Sequence, residues 1–240
     1  MLFNPLEISA VAQSAAACAP RLDLYGGIHK ALRAAMADAL LTLGRCDPQD
    51  DADLLPMATT LRELLHFCEQ HVHHEDRFMH PALHARAPGV SDDAADHHHD
   101  HLEHIAMLRA ELDALLACAP AERDAAALTL YRRLSLFVAE NFEHMLLEET
   151  RHNSALWAHY SDDELAALHN ELIASIPPQE MMATLRWLVP HMAHGERCAM
   201  LADMRTHAPA PAFEAALAVV RPHLSARDWD KLDQALGLAG

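Results

Sequence analysis

Apolar residues return every three or four positions along four stretches of similar length, the spacing of a buried helix face. The first, about Leu22 to Leu43, carries Tyr25, Ile28, His29, Leu32, Met36, Leu40 and Leu43 on one stripe. Gly44 and Asp47-Pro48 end it. The second, about Asp53 to Leu83, aligns Leu61, Leu64, Leu65, Cys68, His71, Val72, Glu75, Phe78 and Met79, and the turn residues Pro88-Gly89 follow. The third, about Ala95 to Cys118, aligns His97, His101, Ile105, Leu108, Leu112 and Leu115 before Pro120 breaks it. The fourth, about Ala121 to His159, aligns Leu134, Phe137, Val138, Asn141, His144, Met145, Glu148 and Ala155. Short connections between such helices favour antiparallel neighbours, so the pattern predicts an all-α fold, an up-down-up-down four-helix bundle over residues 20–160. Residues 161–240 read as a smaller helical subdomain. Ser161 and Glu164 have the spacing of a capping box, Pro177-Pro178 opens a further helix, and Trp187 and Trp229 read as packing.

The polar residues on those stripes change the picture. His29, His71, Glu75, His101, His144 and Glu148 all fall where a bundle core should be. A buried, unpaired carboxylate costs several kcal/mol or neutralises itself, so a pair of them in a core implies a cation. His71 and Glu75 recur later in the chain as His144 and Glu148, and at the same offset Ala82-Leu83 falls on Ala155-Leu156. A His and a Glu four apart share one face of a helix. Two such helices facing each other aim imidazoles and carboxylates into one pocket, as a two-metal site requires. The intervals from His29 to His71 and from His101 to His144 are nearly equal, each a helix, a turn and a return to the same height.

Composition narrows the chemistry. The chain has 20 His in 240 residues, ten of them between His71 and His104. Its formal charge of -17 argues against nucleic acid or an anionic membrane as partner. The five Cys are scattered with no Cys-x-x-Cys, which suits a reducing cytoplasm and gives no thiolate metal site. The apolar run Ile8 to Ala19 invites a signal-peptide reading, but no Lys or Arg precedes Arg21, so the expectation is a cytoplasmic protein. Imidazole and carboxylate donors without thiolate suit iron, manganese or zinc.

On these residues the chain resembles hemerythrin-like proteins of the His-His-Glu cation-binding family. That name stands in the sequence as His73-His74-Glu75, ahead of Phe78 and Pro81. The family pattern is a His on the first helix, His-x-x-x-Glu on the second, one or two His on the third, and a His with a following acid on the fourth. The chain matches with His29, then His71 and Glu75, then His97 and His101, then His144 with Glu148 or Glu149. The internal repeat selects Glu148; the spacing of the oxygen carriers selects Glu149. On the third helix, His97 and His101 match the two-His pattern, while His97-His98-His99 also reads as an exposed tract, and His104 is a weaker candidate. The resemblance implies two non-haem iron ions with an oxo or hydroxo bridge, zinc or manganese being alternatives. It implies binding or sensing of O2, NO or peroxide, or else an enzyme that removes peroxide or NO or donates iron for iron–sulfur repair. Of roughly twelve positions on two near-octahedral ions, two carboxylates, one bridging oxygen and four His leave two open, or one if His97 binds.

The other His residues, among them His66, His80, His84 and His152, read as surface or capping groups, and His73 and His74 point off the stripe. Glu63-x-x-His66 and Glu149-x-x-His152 have the spacing of a ferritin-like bundle, but that fold needs a first-helix Glu, and Leu22 to Gly44 contains none. Nothing in the tail carries evident chemistry. Its helices offer a surface for a protein partner.

Overall fold

The computed structural model describes residues 21–238, and every described element is helical. The apolar run Ile8 to Ala19 and Cys18 lie outside the described residues. Helix α1 spans Gly26–Arg45 and α2 spans Asp51–His74; α2 runs through a π-helical turn, Glu75–Met79, into α3, His80–Arg86. Helix α4 spans Asp92–Ala117. Helix α5, Pro120–Leu147, runs through a second π-helical turn, Glu148–His152, into α6, Asn153–His159. The chain continues as α7 (Asp162–Ser175), α8 (Pro178–His191), α9 (His194–His207), α10 (Ala210–Val220) and α11 (Ala226–Leu236). Among the described residues no helix is long and apolar enough to cross a membrane.

The turns follow from local chemistry. Asp50 accepts a hydrogen bond from the Ala52 amide and caps α2. Gly89, with φ +84°, makes the reversal between α3 and α4 that a side chain would resist. Pro120 opens α5 at the position where its missing N–H costs nothing.

Two compact units are present: residues 21–26 with 35–172, and residues 27–34 with 173–238. The first has two apolar regions. One is the bundle core, with Leu61, Leu65 and Cys68 from α2, Ile105, Leu108, Leu112 and Leu115 from α4, and Leu130, Leu134 and Phe137 from α5, all buried. The other joins Tyr25, Met79, Leu83, Leu156 and Leu165. Along both long helices the polar stripe residues fall between these two regions: His71 and Glu75 lie between Cys68 and Met79, and His144 and Glu148 between Phe137 and Leu156. The fold thus closes the polar site with hydrocarbon above and below. Leu112→Ala is expected to cost about 2–5 kcal/mol by opening a cavity in the bundle core. A urea titration reads that loss, and an unchanged midpoint would contradict the packing described.

The second unit has its own core of Leu185, Val189, Leu201, Phe213, Ala216, Val220, Leu232 and Leu236. Arg197 is buried there and donates to the carbonyls of Val189 (2.9 Å), Pro190 (2.9 Å) and Met192 (3.1 Å), satisfying the end of α8. Within the same unit Lys30 pairs with Glu196 at 2.7 Å.

Candidate metal centre

The two π-helical turns begin at Glu75 and Glu148, so they are related by the same offset as the sequence repeat. A π turn adds a residue to the helical circuit and is found mostly at functional sites. Here it holds each acid one turn from its partner imidazole while the stripe continues into the second apolar region. His71 Nε2 lies 3.3 Å from Glu75 Oε1, and His144 Nε2 lies 3.3 Å from Glu148 Oε2.

The donors converge in two overlapping sets. His71, Glu75 and Glu148 each offer a ligand atom, all within 4.8 Å of one another, and so do Glu75, His98, His144 and Glu148, while His29 is buried on α1 in the other compact unit. Both carboxylates belong to both sets. Glu75 turns Oε1 to His71 and Oε2 to His98, each at 3.3 Å, so one carboxylate spans the two sets. His98 Nε2 is 3.0 Å from His144 Nε2 and 3.8 Å from Glu148 Oε1. Every member except the slightly accessible His71 is buried.

The third helix departs from the sequence reading. His98 is 1% exposed and faces the pocket, whereas the sequence placed it in an exposed tract. The buried positions of α4 are Ala94, His98, His101, Ile105, Leu108, Leu112 and Leu115, a regular alternation of four and three steps. Two steps of four back from Ile105 select His97. The alternation selects His98. His97 is exposed and reaches only the outer edge of His144, Nδ1 to Nδ1, at 3.4 Å. His101 is buried with its ring edge on against His144, centroids 4.8 Å apart, and its Nδ1 has no hydrogen-bond partner, yet it joins neither set. His104 pairs with Glu140 at 3.0 Å on the outside. Of the two candidate acids on the fourth helix, Glu148 joins both sets, and Glu149 joins neither. His80 and His152, read from sequence as surface or capping groups, are mostly and wholly buried beside the pocket.

The electrostatics fit a place made for cations. Burial, then the charge of Glu75, pushes the Glu148 carboxyl well up. Burial, then His98, holds His144 far below the ordinary imidazole value. His98 goes the other way. Burial opposes its charging, but hydrogen bonds to Asp76 and Glu75 raise it to about 9. The Asp76 bond is 2.7 Å, from His98 Nδ1 to Oδ1. Asp76 is itself held low: burial works against its charge, but the bonds from His80 and His98 outweigh it. With Nδ1–H given to Asp76, Nε2 is the nitrogen that faces the pocket, and an ion binding there would take the place of its proton. Burial first, then neighbouring imidazoles, lowers His101 to about 4. Imidazoles with opposed carboxylates, and no thiolate in either set, form a donor group for iron, manganese or zinc.

A family model described as the hemerythrin HHE cation binding domain matches residues 22–153, just over half of the chain. No curated protein and no solved structure matches it.

Proposed function

From the premise that the chain belongs to the hemerythrin HHE cation-binding family, we propose that it is a non-haem diiron protein that binds or senses O2, NO or peroxide. One observation carries the dinuclear reading: Glu75 and Glu148 are each shared by two buried donor sets, as carboxylates bridging two ions must be. His71, with His29 as the family pattern implies, would serve one ion, and His98 and His144 the other. Iron held there would supply a redox-active Lewis acid able to take a small ligand. The chain does the rest. Asp76 fixes the His98 tautomer, and the two apolar regions keep bulk water from the pocket.

A second reading is redox turnover of peroxide or NO. It draws on His97, which stands outside both donor sets. Four imidazoles, two carboxylates and one bridging oxygen would leave about two positions open on a pair of near-octahedral ions, room for a substrate at each.

The test is metal analysis of protein purified without a His tag, with optical spectra taken anaerobically, in air and after NO. About two irons per chain with a visible charge-transfer band supports the reading. A reversible change with O2 favours carriage or sensing, and continuous consumption of peroxide or NO favours an enzyme. Zinc alone, or full iron content in the His71→Ala/His144→Ala double variant, would sink it.

A further inference from the structure

We propose that His80 and His152, with Glu148, hold an accessory divalent cation beside the dinuclear pocket. The three residues each offer a ligand atom, all within 4.8 Å of one another, and all belong to the first compact unit. Two imidazoles and a carboxylate form a three-ligand group that suits zinc, iron(II) or manganese(II) with water or substrate in the open positions.

The surroundings of the two rings favour an ion over a structural hydrogen-bond network. His80 bonds Asp76 through Nδ1 at 3.2 Å, and its ring stacks on His98 with centroids 4.7 Å apart. Its other nitrogen, Nε2, is buried with no hydrogen-bond partner. His152 is wholly buried. Its Nδ1 lies 3.2 Å from the Tyr25 hydroxyl and 3.8 Å from Glu148 Oε1. His80 therefore has one nitrogen oriented by a carboxylate and one left over, the arrangement by which proteins aim an imidazole at a metal, and His152 turns Nδ1 toward the Glu148 carboxylate. A neutral imidazole buried only for packing leaves a costly orphan, and an aromatic or Leu in its place has none.

Glu148 divides its oxygens accordingly: Oε2 faces His144, and Oε1 faces the side of His98 and His152. The accessory ion and the pair would share this carboxylate. Asp76, His80 and His98 form a further set of donors within 4.8 Å, with Asp76 42% exposed. Consecutive sets share His80 or His98, so a chain of donors leads from half-exposed Asp76 to buried Glu148. The accessory position thus lies on a path by which an ion can reach the pair without crossing bare hydrocarbon.

The inference leans on the dinuclear reading only through Glu148, and one experiment separates the two. Full-length protein is stripped with a chelator, loaded with excess zinc(II) and crystallised, and anomalous scattering at the zinc edge locates the ions. The expected result is a peak within about 2.2 Å of one nitrogen of both His80 and His152, besides those at the pair. In solution, wild-type protein should retain about one ion more per chain than the His80→Gln/His152→Gln variant. Peaks at the pair with none between His80 and His152, or a water there, overturn the accessory site and leave the dinuclear reading standing. A peak only at His80 and His152 does the reverse, and no bound ion anywhere overturns both. The crystal readout uses the wild-type chain, so it decides even if the variant does not fold.

Discussion

Glu148→Gln is expected to strip the protein of both ions and, with metal absent, to make it more stable than the wild type. Glu148 joins both sets of the dinuclear pocket, more than any of the four imidazoles does. Gln keeps its shape and takes away the charge that neutralises two cations. Metal affinity should fall by more than about 100-fold, beyond what loss of a merely supporting residue costs. The stability gain follows from the sign of the linkage. Burial raises the Glu148 pKa above its unfolded value, so the metal-free native state binds more protons than the unfolded chain. The stability this group lends is complete below the ordinary carboxylate pKa and drains away as pH rises through the raised one. At neutral pH the wild type holds a carboxyl under strain that the amide does not feel. Metal analysis after desalting, with thermal melts of chelated protein from acidic to neutral pH, checks both halves. If Glu148→Gln keeps two ions at wild-type affinity, the shared-carboxylate reading is wrong.

The opposing behaviour of metal-loaded and metal-free protein explains why this residue type stands in the core at all. A ligand that binds only the native state stabilises it by mass action, about 2.7 kcal/mol at one hundred times the dissociation constant. Selection for that term tolerates a metal-free state weakened by two opposed carboxylates.

Much of this was legible in the sequence because helical period and burial are coupled. The four periodic stretches match α1, α2 with α3, α4, and α5 with α6 to within a turn at most ends. The internal repeat singled out Glu75 and Glu148, whose carboxylates the fold brings together. Three things were harder to read. A π turn leaves the same residue types on the stripe and changes only the step. Its trace is the unbroken run of fours through His144, Glu148, His152 and Leu156, too long a step for a straight α-helix to keep on one face. That run also passes through His152, but the repeat puts Met79 at its counterpart and so gives no hint of a second ligand-type residue there. On α4 a cluster of His, each polar, hides which one the helix buries, and only the apolar residues further along settle the phase. Chain order alone also places His80 among residues near the end of a helix, where surface positions are common, since Leu165 and the rest of the second apolar region arrive from elsewhere in the chain.

That phase can be tested directly, and the effect should be large. His98→Ala is expected to remove the ion served by His98 and His144, lowering iron from about two to about one per chain, and to weaken that position by more than about 100-fold. His97→Ala should leave both ions in place, because its ring touches only the outer nitrogen of His144. Asp76→Asn should fall between them, with affinity lost by about 10–100-fold, the usual cost of losing the partner that orients a ligating imidazole. The three variants differ in what they remove: a donor aimed at the pocket, a neighbour behind a donor, and the acceptor that fixes a tautomer. If His97→Ala costs an ion and His98→Ala costs none, α4 is rotated about its axis from the position described. His97 and His101 would then both face the pocket in place of His98, one imidazole more than described, so one open position fewer would remain and reversible binding of a single small ligand would gain over turnover.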